Sequence, residues 1–127
     1  PEPAPGLLGA YLGSHPDYQP YGLQKFVWNS DTQTLDYAWV NREISSPSSV
    51  PTVGILSDRV YFIGARDNQF TLEAVDWSTG EADFHYVIGG QRYNVMYSGT
   101  SIDEDGRIHY GTPWGRVRLT PVSGRGE

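Results

Sequence analysis

The chain has 127 residues, and its 15 acidic and 9 basic residues give a net charge of −6. This length suits one domain with a buried core, and the negative charge opposes binding to nucleic acid. No apolar run approaches the roughly 18 residues that a membrane span needs. Cysteine is absent, which excludes disulfides, thiolate metal sites and cysteine nucleophiles.

The composition favours a turn-rich β protein. Aromatic residues make up 13% of the chain, which also has 15 glycines and 9 prolines, and no long window repeats apolar residues at helical spacing. Residues 1–5 are predicted to form an extended, proline-rich linker, and residues 123–127 a short tail. Because the sequence begins without an initiator methionine, we expect it to be cut from a longer polypeptide. We separately expect a secreted or periplasmic location.

An internal repeat organises residues 6–122. Three short strand-like segments each end in a glycine turn, at Gly13, Gly64 and Gly111. When the sequence is compared with itself at an offset of 47 residues, other apolar and turn residues also align. Repeats of this length, each with several short strands, are typical of β-propellers. We therefore predict an all-β fold of about three four-stranded antiparallel β-propeller blades, a partial propeller. The predicted blades span residues 6–41, 42–88 and 89–120.

The middle repeat shows the strand pattern most completely. Turn residues separate four strands, which we place at Val50–Leu56, Arg59–Gly64, Gln69–Trp77 and Ala82–Ile88. Both alternating sets of side chains are apolar, so both faces of this sheet are predicted to be covered. In the third repeat, Asp103–Gly106 is predicted to be a turn. It is not a calcium loop, because tryptophan stands at the twelfth position, where such a loop needs glutamate.

The segment Ala74–Phe84 resembles the eleven-residue docking motif of quinoprotein-type (PQQ-dehydrogenase-like) β-propellers. That motif has Ala first, Asp third, Thr-Gly sixth and seventh, and Trp eleventh; the corresponding residues here are Ala74, Asp76, Thr79, Gly80 and Phe84. The resemblance implies that the Thr-Gly turn is tight and that a flat aromatic stacks across to the next blade. In the first repeat, Tyr37 takes the place of Phe84. The family's quinone site uses a cysteine pair, which is absent, so we expect no cofactor.

Three blades cannot close a propeller ring, which needs four or more. Two large apolar blade faces would be left uncovered. We therefore expect the ring to be completed either by the remaining blades of a parent polypeptide or by self-association, in which two copies would supply six blades.

The residues of greatest functional interest are in the link Gly89–Asn94 between the second and third blades. Arg92 could pair with a small anionic ligand, Tyr93 could stack, and Asn94 could hydrogen-bond. Trp114 and Trp77 lie at turns and are candidates for stacking on a glycan. Trp28 and Trp39 lie within strands and are predicted to be core residues.

We predict a non-catalytic β-propeller segment that binds a partner protein or glycan and acts as part of a larger propeller assembly. The alternative is a fragment of a propeller enzyme (a lyase, hydrolase or dehydrogenase) whose active site is shared with missing blades. Arg92, Tyr93 and His109 would then contribute to that site. The sequence contains no recognisable catalytic constellation and predicts no metal site.

Overall fold

The computed structural model describes residues 21–122. The predicted linker, the predicted tail and the strand-like segment that ends at Gly13 therefore lie outside the described residues. This part of the chain is all-β, as predicted, with three antiparallel sheets, none of which closes on itself. Within it there is no helix that could span a membrane. The strands are β1 Tyr21–Asn29, β2 Thr34–Ser45, β3 Thr52–Gly54, β4 Arg59–Arg66, β5 Gln69–Asp76, β6 Ala82–Gly89, β7 Ser101–Ile102, β8 Ile108–Thr112 and β9 Gly115–Leu119.

The middle sheet is a four-stranded meander in the order β3-β4-β5-β6. Its turns contain residues that tolerate a positive φ: Asp58 has φ 50°, Asp67 and Asn68 form a two-residue hairpin with φ 48° and 61°, and Gly80 has φ 80°. Three of its four strands start where the sequence predicts. The alternation of strands and turns is therefore encoded locally.

β3 is much shorter than the predicted strand Val50–Leu56. Pro51 has no N–H to contribute to a sheet, and only an isolated bridge remains at Val50. At the other end, the Ser57 N–H donates to the Gly54 carbonyl at 3.1 Å, which turns the chain away from the sheet. Ile55 and Leu56 are consequently exposed.

Two apolar clusters lie on either side of the middle sheet. The first, between the β1-β2 sheet and the middle sheet, contains Trp39, Ile44, Val60, Phe62 and Val75. The second, between the middle sheet and the β7-β8-β9 sheet, contains Ile63, Phe70, Leu72, Val95, Ile108 and Tyr110. Nearly all of β4 and β5 is buried or half-buried, which confirms that these strands are covered on both faces. The outer strand β6 is largely exposed, so the prediction that both faces of the sheet are covered was wrong for this strand.

The middle and third sheets lie side by side at their first strands. Val50 and Gly99 form a parallel bridge, and Thr52 Oγ1 donates to the Thr100 carbonyl at 2.6 Å. The segments 46–51 and 90–100, which lead from one sheet to the next, cross at one end of the sheets, here named the crossover end. The opposite end, which carries the turns at 55–58, 77–81 and 103–107, is named the turn end.

Candidate functional site

The link between β6 and β7 forms a compact 3-10 turn at the crossover end. It begins at Gly89, whose φ of 150° and close approach to the Tyr93 ring leave no room for a side chain. Residues Gln91–Tyr93 make the 3-10 turn. Arg92 is exposed on it, and none of the ion pairs found within residues 21–122 involves this arginine. Arg92 is therefore available to an anion at the crossover end.

Tyr93 and Asn94 contribute to the architecture of the link. Asn94 is fully buried, and its Oδ1 accepts hydrogen bonds from Met96 N–H at 2.8 Å and Ser48 Oγ at 3.3 Å, which ties two crossover segments together. The Tyr93 carbonyl accepts from the Tyr110 hydroxyl at 3.2 Å. Burial raises the pKa of Tyr110 well above its usual range, so this phenol remains a donor.

Trp114 lies in the hairpin turn between β8 and β9, which is also at the crossover end. Trp114 is 57% exposed, and its backbone N–H donates to Thr112 Oγ1 at 3.1 Å, which fixes the turn. An exposed indole on a rigid two-residue hairpin can offer an apolar surface to a sugar ring or to a protein side chain.

Trp77 lies elsewhere, in the turn between β5 and β6, and is half-buried. The Lys25 ammonium lies 3.8 Å from the centre of its ring and donates to its carbonyl at 2.8 Å. This cation–π contact occupies one face of the indole. Trp77 thus joins the first sheet to the middle sheet.

Trp39 makes the main contact between these sheets. Its Nε1 donates to the Trp77 carbonyl at 3.0 Å, and its ring covers the backbone of Gly80. Asn41 adds a hydrogen bond from Nδ2 to the Gly80 carbonyl at 2.9 Å. Trp39 is buried, as predicted. Tyr37, which the repeat aligns with Phe84, is instead exposed.

Trp28 is 60% exposed, so the prediction that it is a core residue was wrong. It shares one face of the β1-β2 sheet with other exposed apolar residues, namely Phe26, Leu35 and Tyr37. Periodicity identifies that face as apolar, but it does not reveal whether another element covers it.

His109 lies on β8 and pairs with Asp103 of the predicted turn, with 2.9 Å between Nε2 and Oδ2. Asp103 also accepts hydrogen bonds from the N–H groups of Arg107 and Asp105. The His109 hydrogen bond, helped by these amides, lowers the pKa of Asp103 to about 2. Within the described range no three histidine, aspartate or glutamate residues form a group that could hold a metal ion.

Two further features have no counterpart among the sequence predictions. Glu73 is buried on β5, where Arg66 donates to both of its oxygens at 2.8 and 2.9 Å and Thr71 Oγ1 donates at 2.5 Å. A cleft of about 1270 Å³ lies between parts of the middle and third sheets, with Phe84 and Tyr86 on one wall and Leu119 on the other. Nothing in the local sequence pattern identifies the first feature.

The candidate residues therefore fall into separate places. Arg92, Tyr93 and Trp114 lie at the crossover end, with Asn94 buried beneath them. Trp77 lies at the turn end, against the first sheet, and His109 lies on the third sheet.

No known family model matches the chain. Over 109 residues it is 37% identical to an uncharacterized protein of Archaeoglobus fulgidus, and the aligned part is 85% of this chain and 21% of that protein. The chain thus spans about a fifth of the length of this relative.

Proposed function

We propose that this chain is a non-catalytic segment of a quinoprotein-like β-propeller, which binds a partner protein or a glycan and works as part of a larger propeller assembly. The middle sheet carries the proposal. It is a four-stranded antiparallel meander whose two central strands are covered on both faces by neighbouring sheets. The parallel bridge between Val50 and Gly99 also brings consecutive first strands together, as expected around a propeller axis.

The contact between Trp39 and Gly80 supports the resemblance to quinoprotein-type propellers. The resemblance implies a tight Thr-Gly turn and a flat aromatic that stacks across to the next blade. Trp39 of the first sheet packs across the sheet boundary against the turn that contains Thr79 and Gly80. The repeat aligns Tyr37 with the motif's aromatic position, so this contact supports aromatic packing between blades but does not match the motif residue by residue.

Open apolar surface supports a larger assembly. The β1-β2 sheet exposes Phe26, Trp28, Leu35 and Tyr37 on one face. A contiguous exposed patch of this kind marks an interaction surface. The relative in Archaeoglobus fulgidus is about five times as long as the aligned part, which leaves room for further blades. Light scattering on the purified chain tests this: we expect self-association at micromolar concentration, and a monodisperse monomer would contradict self-association.

Ligand binding is proposed at the crossover end, where Trp114 supplies an exposed indole and Arg92 an exposed guanidinium. Tryptophan fluorescence titrated with a panel of neutral and acidic glycans provides the test. We expect a saturable response that Trp114→Ala removes and Trp28→Ala preserves, because Trp28 is equally exposed but lies near the turn end. The absence of any response, or the same response in both variants, would contradict a glycan site at Trp114.

The alternative predicted from the sequence, a propeller enzyme with a shared active site, gains no specific support from the described residues. His109 is engaged with Asp103 on the third sheet, whereas Arg92 lies on the link at the crossover end. We therefore propose only the binding module.

A further inference from the structure

Two large aliphatic side chains project from the turn end of the middle sheet. At the tip of the turn between β3 and β4, Ile55 is 89% exposed and Leu56 is 105% exposed. The middle sheet has a neighbouring sheet on each face, so this exposure does not come from an end of the chain. Single exposed aliphatic residues are common, but two consecutive ones at a tip form an apolar patch that another molecule can cover.

The turn holds these two side chains in a fixed position. The N–H and the hydroxyl of Ser57 both donate to the Gly54 carbonyl at 3.1 Å, and the Tyr61 hydroxyl donates to Ser57 Oγ at 3.2 Å. A Cβ at Gly54 would lie 2.7 Å from Ser57 Oγ and 2.9 Å from Tyr61 Cε2, so the inner side of the turn is closely packed. Because the turn is already ordered, binding through Ile55 and Leu56 costs little conformational entropy.

The turn end around this tip is acidic. The segments 55–58, 77–81 and 103–107 contain one cationic residue, Arg107, which pairs with two neighbouring carboxylates. Arg59, which follows the first of these segments, pairs with Asp83. The acidic residues of the three segments are Asp58, Glu81, Asp103, Glu104 and Asp105. The charge of the turn end is therefore negative.

The acidic turn of the third sheet lies next to the apolar tip. Gly54 lies against Ile102, since a Cβ at position 54 would be 3.5 Å from Ile102 Cδ1. Asp103 and Glu104 directly follow Ile102, and they line the same cleft as the tip residues. Arg118 also lines this cleft and offsets one of these two charges. The tip thus combines an apolar centre with a border that is acidic on balance.

We propose that the tip formed by Ile55 and Leu56 binds a partner protein through a basic amphipathic segment, in which lysine or arginine residues border an apolar stripe. The stripe covers the two aliphatic side chains, and the cations lie beside Asp58 and Glu104. Like charges disfavour a second copy docked through the same end, and an acidic surface disfavours anionic lipid headgroups. The proposal goes beyond the proposed function, since it adds a surface at the turn end and gives the chemistry of the partner.

Two synthetic amphipathic peptides of about 18 residues, with blocked ends, test this proposal on the full chain. Both have a leucine stripe at helical spacing, and the other positions carry lysine in the first peptide and glutamate in the second. Fluorescence anisotropy measures the affinities, and amide hydrogen exchange locates the contact. We expect the lysine peptide to bind at least about tenfold more tightly than the glutamate peptide. It should slow exchange within residues 55–58 and 103–107.

Leu56→Ser tests the apolar contact. It changes an exposed side chain, so the fold should persist, which cooperative unfolding of the variant will verify. The affinity for the lysine peptide should fall about tenfold. Val27→Ser is the matched control, because Val27 is an aliphatic residue that is 50% exposed on the first sheet. It should leave the affinity unchanged.

Glu104→Lys tests the acidic border. It should weaken binding of the lysine peptide and strengthen binding of the glutamate peptide, each by about threefold or more. Glu43→Lys is the matched control, because it makes the same change in net charge at an exposed position near the crossover end. The ratio of the two affinities should change much less in this control than in Glu104→Lys.

Several results would overturn the proposal. These are equal affinity for the two peptides, an unchanged affinity in Leu56→Ser, or protection confined to other segments. Vesicles of phosphatidylcholine, with and without phosphatidylglycerol, provide a further arm: sedimentation with them that Leu56→Ser abolishes would identify a lipid surface as the occupant. A dimer in light scattering that Leu56→Ser dissociates would identify a second copy. Because Trp114 lies at the crossover end, the glycan titration there is independent of all these results.

Discussion

The indole ring of Trp39 lies directly on the backbone of Gly80, across the boundary between the first and middle sheets. A Cβ at position 80 would lie 2.5 Å from Cε3 and 2.8 Å from Cγ of this ring. Gly80 also has a φ of +80°, which side chains rarely adopt. The turn therefore requires glycine for two independent reasons, one conformational and one steric.

Replacement of Gly80 by alanine should lower the free energy of unfolding by about 2–5 kcal/mol, since backbone strain and overpacking add. Gly106→Ala is the matched control. Gly106 has a similar φ of +75°, but nothing lies within 4 Å of a Cβ built there. It should therefore lose only the conformational part, about 1–2 kcal/mol. Urea unfolding of both variants measures the difference, and equal losses would show that the contact with Trp39 is unimportant.

Truncation of Trp39 should be among the most damaging single changes in the first sheet. Trp39→Ala removes a buried indole and its hydrogen bond to the Trp77 carbonyl, which should cost about 3–5 kcal/mol. Trp28→Ala, on the exposed face of the same sheet, should change stability by no more than about 0.5 kcal/mol. Thermal or urea unfolding distinguishes the two. Both variants are compared at a chain concentration at which light scattering shows a monomer, and a large loss in Trp28→Ala there would mean that this face is covered within the monomer.

Much of the middle sheet could be predicted from the sequence because its signals are local. Turn residues such as Asp67 and Asn68 define the hairpins, and the unbroken apolar run Val60–Ile63 in β4 indicates two covered faces. The 47-residue repeat aligns Phe84 with Tyr37 and not with Trp39, which makes the contact between the sheets. The pairing of β1 with β2 shifts register between Lys25 and Phe26, and that of β5 with β6 shifts between Ala74 and Val75. A fixed offset along the sequence takes no account of such bulges.

Burial and pairing across sheets were the part that could not be predicted. Trp28 and Trp39 occupy the same kind of strand pattern, yet one is exposed and the other is covered, because coverage depends on the neighbouring sheet. Glu73 stands within an apolar strand and has no charged partner on that strand. Its counter-ion, Arg66, becomes apparent only when β4 and β5 pair. The link that carries Arg92 was identified from the order of the predicted strands. The cleft beside β9 could not be predicted, because it depends on how the middle and third sheets pack in three dimensions.

The pair formed by Arg66 and Glu73 should behave as a unit. Arg66→Met leaves the buried Glu73 carboxylate without its counter-ion, which should cost about 3–5 kcal/mol. The double variant Arg66→Met/Glu73→Leu removes both charges, and it should recover most of this loss because a well-packed apolar pair can replace a buried ion pair. Unfolding in urea at pH 7 measures both. A double variant no more stable than Arg66→Met would show that the two residues act independently.

Asp103 should titrate with a pKa of about 2, well below its ordinary 3.8, chiefly because His109 donates to its carboxylate. A carboxyl whose pKa is lowered by folding contributes stability above its unfolded pKa and loses it as the pH falls through the folded value. The contribution of Asp103 should therefore disappear between about pH 4 and pH 2.

His109→Gln should raise the Asp103 pKa towards 3.8 without reaching it, since the amides of Arg107 and Asp105 still donate. His85→Gln, which changes an exposed histidine on β6, should leave it at about 2. Carbon-13 NMR of the side-chain carboxyl measures these values, and an Asp103 pKa near 3.8 in the unsubstituted chain would refute the pairing with His109.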